Sequence, residues 1–142
     1  MSHAKHRITP SEIGMIRIYM KPSDKADASR NFWSRKPLYR ELVALAKRDG
    51  IMNAVAHHTH YGYSNHGPVR ENGSAISDPH LTMCVELIGH RRELERFCET
   101  HGGMLGGKVI VYKHLEHWSI GAGGVRHEDA APAELSDDAG RA

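Results

Sequence analysis

The second half of the chain has the most regular pattern, LTMCVELIGHRRELERFCETHGGMLGGKVIVYKHLEHW, residues Leu81–Trp118. Apolar residues alternate from Met83 to Ile88, which predicts a β-strand. Apolar residues then recur at helical spacing from Leu94 to His101, and a glycine follows directly, as it does at many helix ends. A β-branched run after Lys108 predicts another strand. This half is therefore strand, helix, strand.

The first half repeats the same order. MIRIYM, residues 15–20, alternates as a strand and stops before Pro22. KPLYRELVALAKRDG, residues 36–50, has a proline at its first turn and a glycine at its end, which predicts a helix. IMNAVAHHTHYGY, residues 51–63, predicts the second strand. The order β-α-β-β-α-β predicts an α+β, ferredoxin-like fold: a four-stranded antiparallel sheet with two helices on one face.

Composition divides the chain into one domain and two ends. Residues 1–14 are predicted to be a flexible N-terminal arm, and residues 121–142, rich in Gly, Ala and Asp, a flexible C-terminal tail. The domain then occupies residues 15–120. Within it, residues 62–80 connect two strands, although a hairpin needs only two to five residues. A loop of that length is usually functional.

Charge and cysteine content exclude several classes of protein. The 142 residues include 19 basic and 17 acidic ones, a net charge of +2, so a nucleic-acid binder with a basic stripe is not expected. Cys84 and Cys98 lie in apolar patterns and are expected to be reduced, buried thiols. The first residues lack a signal peptide, and no apolar run is long enough to span a membrane. We therefore expect a cytoplasmic protein.

The central strands carry apolar residues on both faces of the predicted sheet, not only on the face that would pack against the helices. Cys84, Ile88, Ile110 and Tyr112 alternate with Met83, Val85, Val109 and Val111. A monomer would leave the second sheet face as an exposed apolar patch. Assembly through that face is the simplest way to cover it.

Four motifs in order resemble the PII signal-transduction superfamily, and in particular its divergent PII-like branch. They are MIRIYMKP (residues 15–22), YGYS (residues 61–64), CVELIG (residues 84–89) and GGMLGGKVIVYKHLEHW (residues 102–118). The resemblance implies a homotrimer that binds adenine nucleotides in the clefts between subunits. It also implies that residues 62–80 form the long effector loop, called the T-loop, which signals to a protein partner, a transporter or an enzyme.

Carried over by position, the resemblance implies a nucleotide site with two parts. Gly62, Tyr63 and Ser64 would form the T-loop base, with Ile88 against adenine and Glu86 beside the lysine of the phosphate-binding loop, called the B-loop. The phosphate cradle would be Gly106, Gly107 and Lys108. Glycines allow backbone N–H groups to approach an anion, and a lysine adds positive charge. The alternative interpretation is a plain turn before a strand with a lysine that reaches solvent.

Departures from the family pattern change the expected ligand. The positions of the phosphate-clamping arginines hold Asn65, Ile120 and Ala122, none of them cationic, and the B-loop has Leu105 and Gly106 where a glycine and an aspartate are usual. We therefore expect AMP and ADP to bind better than ATP. The predicted protein is a non-enzymatic regulator without a resident cofactor or metal, which reports energy status to a transport or assimilation pathway. If that pathway is inorganic carbon, bicarbonate is the expected co-ligand.

Two other classes of protein remain open from the sequence. Twelve histidines, several of them in the 57–66 segment, suggest a trimeric divalent-metal regulator of the CutA type. Period-two spacing puts His58 and His60 on one strand face and His57 on the other, with His66 and His80 flanking the loop. An enzyme would use the histidines beside Tyr61 for acid–base chemistry, but no nucleophile–base pair or cofactor motif accompanies them.

Overall fold

The computed structural model describes residues 5–26, 36–73 and 78–122. The strands and helices are β1 (His6–Met20), α1 (Leu38–Arg48), β2 (Asn53–His58), β3 (Tyr61–Gly62), β4 (Arg70–Glu71), β5 (Met83–Gly89), α2 (Arg91–His101) and β6 (Val109–Ala122). Four strands form one antiparallel sheet in the order β2-β5-β1-β6, while β3 and β4 pair separately. The predicted ferredoxin-like α+β fold is confirmed.

The register of the sheet explains its two faces. Ile18 of β1 lies opposite Val85 of β5, and Ala56 of β2 lies opposite the same valine. Ile18 and Val85 are fully buried, because the apolar face of the sheet packs against both helices. The core therefore lies between the sheet and the two helices.

Each helix begins and ends near its predicted limit. Pro37 precedes the first turn of α1, and Gly50 follows its C-terminal cap with a φ of +79°, a conformation that glycine adopts without strain. α2 ends at His101 and continues as a short 3₁₀ turn, Gly102–Met104. Both helices bury one apolar side, formed by Leu38, Leu42, Leu45 and Ala46 in α1 and by Leu94 and Phe97 in α2.

A histidine–carboxylate pair joins the ends of the two helices. The Nε2 of His101 lies 2.7 Å from Oδ2 of Asp49, and the His101 ring is 4.7 Å from the Phe97 ring. His101 is buried, with 8% of its surface exposed. The hydrogen bond from His101, together with Arg48, lowers the pKa of the Asp49 carboxyl despite its partial desolvation.

Asp49→Asn tests the contribution of this pair to stability. A carboxyl whose pKa is lowered in the folded state stabilises above its unfolded pKa of about 4, and the stabilisation is lost as pH falls through the folded pKa. We expect the variant to melt below the wild type at pH 7 and the difference to shrink below about pH 4. Thermal unfolding from pH 2 to pH 7 measures it. A difference in melting temperature that is the same at every pH would contradict the assignment.

The ends of β1 and β6 differ from the prediction. β1 begins at His6 inside the predicted 1–14 arm, and β6 runs to Ala122. Residues 6–12 are exposed, so no alternation between apolar and polar residues marks them as a strand. The chain divides into a compact unit of residues 12–117 and a second unit that contains residues 5–11 and 118–122. The rest of the predicted tail, residues 123–142, lies outside the described residues.

The sheet face opposite the helices carries some, but not all, of the residues that the sequence predicted for it. Tyr112 packs toward the helix-side core, and its ring is so close to Gly14 that a Cβ there would lie 2.7 Å from it. Tyr112 and, by alternation, Ile110 are therefore on the helix face and not the second face. We call the second face the open face; it carries Met15, Tyr19, Val55, Cys84 and Ile88.

The open face has charge at its centre. Arg17 of β1 donates from Nε to Oε2 of Glu86 on β5 at 2.9 Å, and the Nε2 of His57 lies 3.7 Å from the same oxygen. The Glu86 side chain is 14% exposed. The predicted exposed apolar face is thus charged at its centre, and two of its apolar side chains, Met15 and Cys84, are already buried within the chain.

Both cysteines are free, as predicted, but Cys84 is buried whereas Cys98 is only partly buried. Burial raises the pKa of the Cys84 thiol and of the Cys98 thiol. Because the thiolate is the reactive form, neither is suited to nucleophilic chemistry at neutral pH. No helix among the described residues is both long and apolar enough to cross a membrane.

Candidate functional site

A cleft of about 250 Å³ lies where β1 ends and β6 begins. Its walls are formed by the end of β1 with the segment after it, the β3–β4 hairpin, the segment before β5, and the turn before β6. Its polar lining residues are Tyr19, Lys21, Asp24, Ser64, Asn65, Arg70, His80, Thr82 and Lys108. Four separate segments of the chain therefore meet at one polar cleft.

Lys108 is held in this cleft by a carboxylate. Its Nζ donates to Oδ2 of Asp24 at 2.8 Å, and the backbone N–H of Lys21 donates to the same oxygen at 3.0 Å. About a quarter of each side chain is exposed, 21% for Lys108 and 26% for Asp24. Burial acts to raise the pKa of Asp24, but the bonds from Lys108 and the Lys21 N–H outweigh it, so the pKa lies below its ordinary value. Asp24 is ionised at neutral pH.

The glycines before Lys108 form a turn. The backbone N–H of Lys108 donates to the carbonyl of Leu105 at 3.1 Å, and Gly107 has a φ of +72°. That conformation is left-handed and costs little only for glycine. The turn places Gly107 and Lys108 in the cleft, whereas Gly106 is not among its lining residues. The motif is therefore a turn, as the alternative interpretation held. The same turn directs Lys108 into the cleft, so a role in phosphate binding stays compatible with it.

Gly107→Ala tests the left-handed conformation, with Gly106→Ala as its control. A Cβ at either position would meet no atom within 4 Å, but only Gly107 has a left-handed φ. We expect Gly107→Ala to lower the free energy of unfolding by about 1 kcal/mol and to weaken any anion binding at Lys108. Gly106→Ala should be neutral or slightly stabilising. Equal effects of the two substitutions in chemical denaturation would contradict this account.

The T-loop base contacts the B-loop directly. β3 and β4 pair with Gly62 opposite Arg70, and the chain then turns at Ser64, whose carbonyl accepts from the Gly67 N–H at 3.0 Å. Asn65 and His66 in this turn have φ values of 49° and 59°, which Asn tolerates better than most residues. The Asn65 side-chain amide donates to the Gly107 carbonyl at 3.3 Å. The first turn of the T-loop is thus coupled to the position of the B-loop.

Three of the eight predicted site residues line the cleft, and the other five do not. Ser64, Gly107 and Lys108 line the cleft, but Gly62 and Tyr63 do not, and 62% of the Tyr63 surface is exposed. Glu86 and Ile88 lie on the open face.

The resemblance placed Glu86 near the B-loop lysine, but within one chain the two side chains have different partners. Lys108 pairs with Asp24, while Glu86 pairs with Arg17. Glu86 pairs with Arg17 because the register of β1 against β5 puts the two residues opposite each other. The alternation of residues along a strand does not reveal that register.

Basic side chains that the sequence did not assign to the cleft also line it. Arg70 lies in the β3–β4 hairpin, His80 lies at the end of the T-loop, and Lys21 follows β1. Arg70 is 3.6 Å from Asp78, from Nη1 to Oδ2. The sequence around Arg70, GPVRE, does not predict that its side chain lines the cleft. The pairing of β3 with β4 places it there. Among the described lining residues, Lys21, Arg70 and Lys108 outnumber the one carboxylate, Asp24, so the cleft favours an anion.

Within one chain, the described part of the histidine-rich segment does not bring three metal ligands together. Among residues 5–26, 36–73 and 78–122, no three His, Cys, Asp or Glu side chains cluster as metal ligands. His57 contacts Glu86 on the open face, while the His58 ring lies 5.9 Å from that of Tyr39. Adjacent strand residues point to opposite faces, so these two histidines diverge.

The fold, with a Gly–Lys turn and the base of a long loop at one cleft, is that of PII-like proteins. Residues 14–117 match the family described as DUF190, Uncharacterized ACR, COG1993, and the chain belongs to this family. The expected PII-like relationship is thereby confirmed. None of the curated proteins matches the chain.

Solved structures with a similar fold are PII-like proteins. CPII from Thiomonas intermedia K12, a nitrogen regulatory PII-like protein bound to ADP, AMP and bicarbonate, superposes with a TM-score of 0.51 at 10% identity, over 78% of this chain and 91% of that one. A putative PII-like signalling protein from Thermus thermophilus gives a TM-score of 0.48 at 13% identity over the same shares. At these identities the first similarity concerns the fold alone.

Proposed function

We propose that the protein is a non-enzymatic, cytoplasmic PII-like regulator that binds adenine nucleotides at the Lys108 cleft. The observation that carries the proposal is the convergence of the Gly107–Lys108 turn, the T-loop base and Arg70 on one cationic cleft. A lysine ammonium beside a glycine turn and a guanidinium can bind phosphate oxygens with charge-assisted hydrogen bonds. CPII, which has the same fold, is bound to ADP, AMP and bicarbonate, so we propose these ligands here also.

The site is proposed to be complete only in a homotrimer. Gly62 and Tyr63 lie outside the cleft of one chain, and Glu86 and Ile88 lie on the open face. We propose that subunits meet through the open face, so that a neighbour closes each cleft and these residues come near the nucleotide. Burial of Val55 and Ile88 would drive the assembly. Arg17 and Glu86 would be buried together as an ion pair, so neither charge would be left without a partner.

The T-loop is proposed to carry the signal. Asn65 binds the Gly107 carbonyl, and Arg70 lies in the cleft, so a ligand at the B-loop contacts residues at the start of the loop and in its hairpin. Ligand-dependent ordering of residues 62–80 would then present or hide a surface for a partner. That partner is proposed to be a transporter or enzyme of a transport or assimilation pathway, in which AMP and ADP report energy status.

Isothermal titration calorimetry with AMP, ADP and ATP tests the nucleotide site. We expect about one nucleotide per chain, with AMP or ADP bound more tightly than ATP, since no arginine stands at the usual clamp positions. Repeating the titration in bicarbonate tests the co-ligand, which should tighten binding. Absence of heat with all three nucleotides would contradict the proposal, and tightest binding of ATP would contradict the expected order.

A further inference from the structure

Asp24 accepts, in the cleft, two hydrogen bonds of the kind that phosphate oxygens accept. Its Oδ2 accepts from the Lys108 ammonium at 2.8 Å and from the Lys21 backbone N–H at 3.0 Å. An ammonium and a backbone N–H that converge on one anionic oxygen are the donors that phosphate sites use. The lysine expected to bind ligand is therefore already compensated within the chain.

Backbone hydrogen bonds hold the segment that carries Asp24. The Ser23 N–H donates to the Pro79 carbonyl at 3.1 Å, and the Asp24 carbonyl accepts from the Leu38 N–H at 2.8 Å. One bond ties the segment to the end of the T-loop and the other to the start of α1. Both bonds restrain the backbone at Asp24, and the Lys21 N–H restrains the carboxylate itself, so the carboxylate is held near Lys108.

We propose that Asp24 is a built-in competitor for phosphate that sets the affinity and the charge selectivity of the cleft. The inference rests on the nucleotide site proposed above. An incoming phosphate must take Lys108 from Asp24 or share it, and in either case it approaches a fixed negative charge. That repulsion grows with the charge of the ligand, so it opposes ATP more than ADP and ADP more than AMP.

The neutral isostere Asp24→Asn tests the proposal. Its side-chain oxygen can still accept from the Lys21 N–H, but it does not compensate Lys108. We expect ADP to bind about two- to fivefold tighter in calorimetry, with a larger gain for ATP and a smaller one for AMP. Glu95→Gln is the matched control, because Glu95 is an exposed carboxylate that pairs with Arg91 on α2, and it should leave all three affinities unchanged.

The outcomes separate this inference from the proposed function. If the wild type binds nucleotides but Asp24→Asn binds them equally or more weakly, Asp24 is not a competitor while the nucleotide site stands. If the wild type binds none of the three, both ideas fail. Thermal unfolding shows whether Asp24→Asn is folded. Asp24→Ser, which also keeps an oxygen for the Lys21 N–H, provides a second variant with the same expected ranking.

Discussion

Lys108→Gln is expected to raise the Kd for ADP about a hundredfold, the largest loss of any single substitution in the cleft. A hydrogen bond to a charged group contributes about 1.5–3 kcal/mol, and a hundredfold change corresponds to about 2.7 kcal/mol. Removal of the ammonium also leaves Asp24 without its 2.8 Å partner, so an uncompensated carboxylate would face the ligand. Calorimetry on the folded variant measures the change.

Two further variants identify the source of that loss. Lys47→Gln makes the same substitution at an exposed residue in the last turn of α1 and should bind ADP as the wild type does. Adding Asp24→Asn to Lys108→Gln should restore part of the affinity, because it removes the uncompensated carboxylate. Wild-type affinity in folded Lys108→Gln would show that the cleft is not the phosphate site.

Val55→Lys is expected to convert the proposed trimer to monomers. Val55 is 40% exposed on the open face and lies opposite Glu86 in the β2–β5 register. In a monomer the new ammonium can pair with Glu86 and reach solvent, so the subunit should keep its fold. In a closed interface it would be buried in every subunit, at several kcal/mol per charge. Light scattering coupled to size-exclusion chromatography measures the mass.

Met52→Lys is the control for Val55→Lys. Met52 is 54% exposed and lies just before β2, so the same change in charge is made outside the strand. It should leave the trimer intact. If subunits assemble through the open face, Val55→Lys should also weaken ADP binding, because the neighbour no longer closes the cleft. A trimer that survives Val55→Lys would place the interface elsewhere.

The elements of the fold could be predicted because their signals are local. The helix limits follow from Pro37 and Gly50, and the β5 strand from the alternation between Met83 and Ile88. A turn at Gly107–Lys108 was one of the two interpretations of the sequence, because glycines directly before a β-branched run are typical of a turn that leads into a strand. Each of these signals lies within a few residues of the feature that it specifies.

The contacts that define the site could not be predicted because they join distant segments. The Asp24–Lys108 pair links residues 84 positions apart, and Arg70 enters the cleft only through the β3–β4 pairing. The resemblance placed Glu86 near Lys108, and only the register shows that Arg17 lies opposite Glu86. The exposed start of β1 had no apolar face from which a strand could be recognised.

A crystal structure of the protein grown with ADP tests the central claim most directly. The account predicts a homotrimer with one ADP in each intersubunit cleft and a phosphate oxygen within hydrogen-bond distance of the Lys108 ammonium. Empty clefts at saturating ADP, or a nucleotide bound away from the Gly107–Lys108 turn, would contradict it.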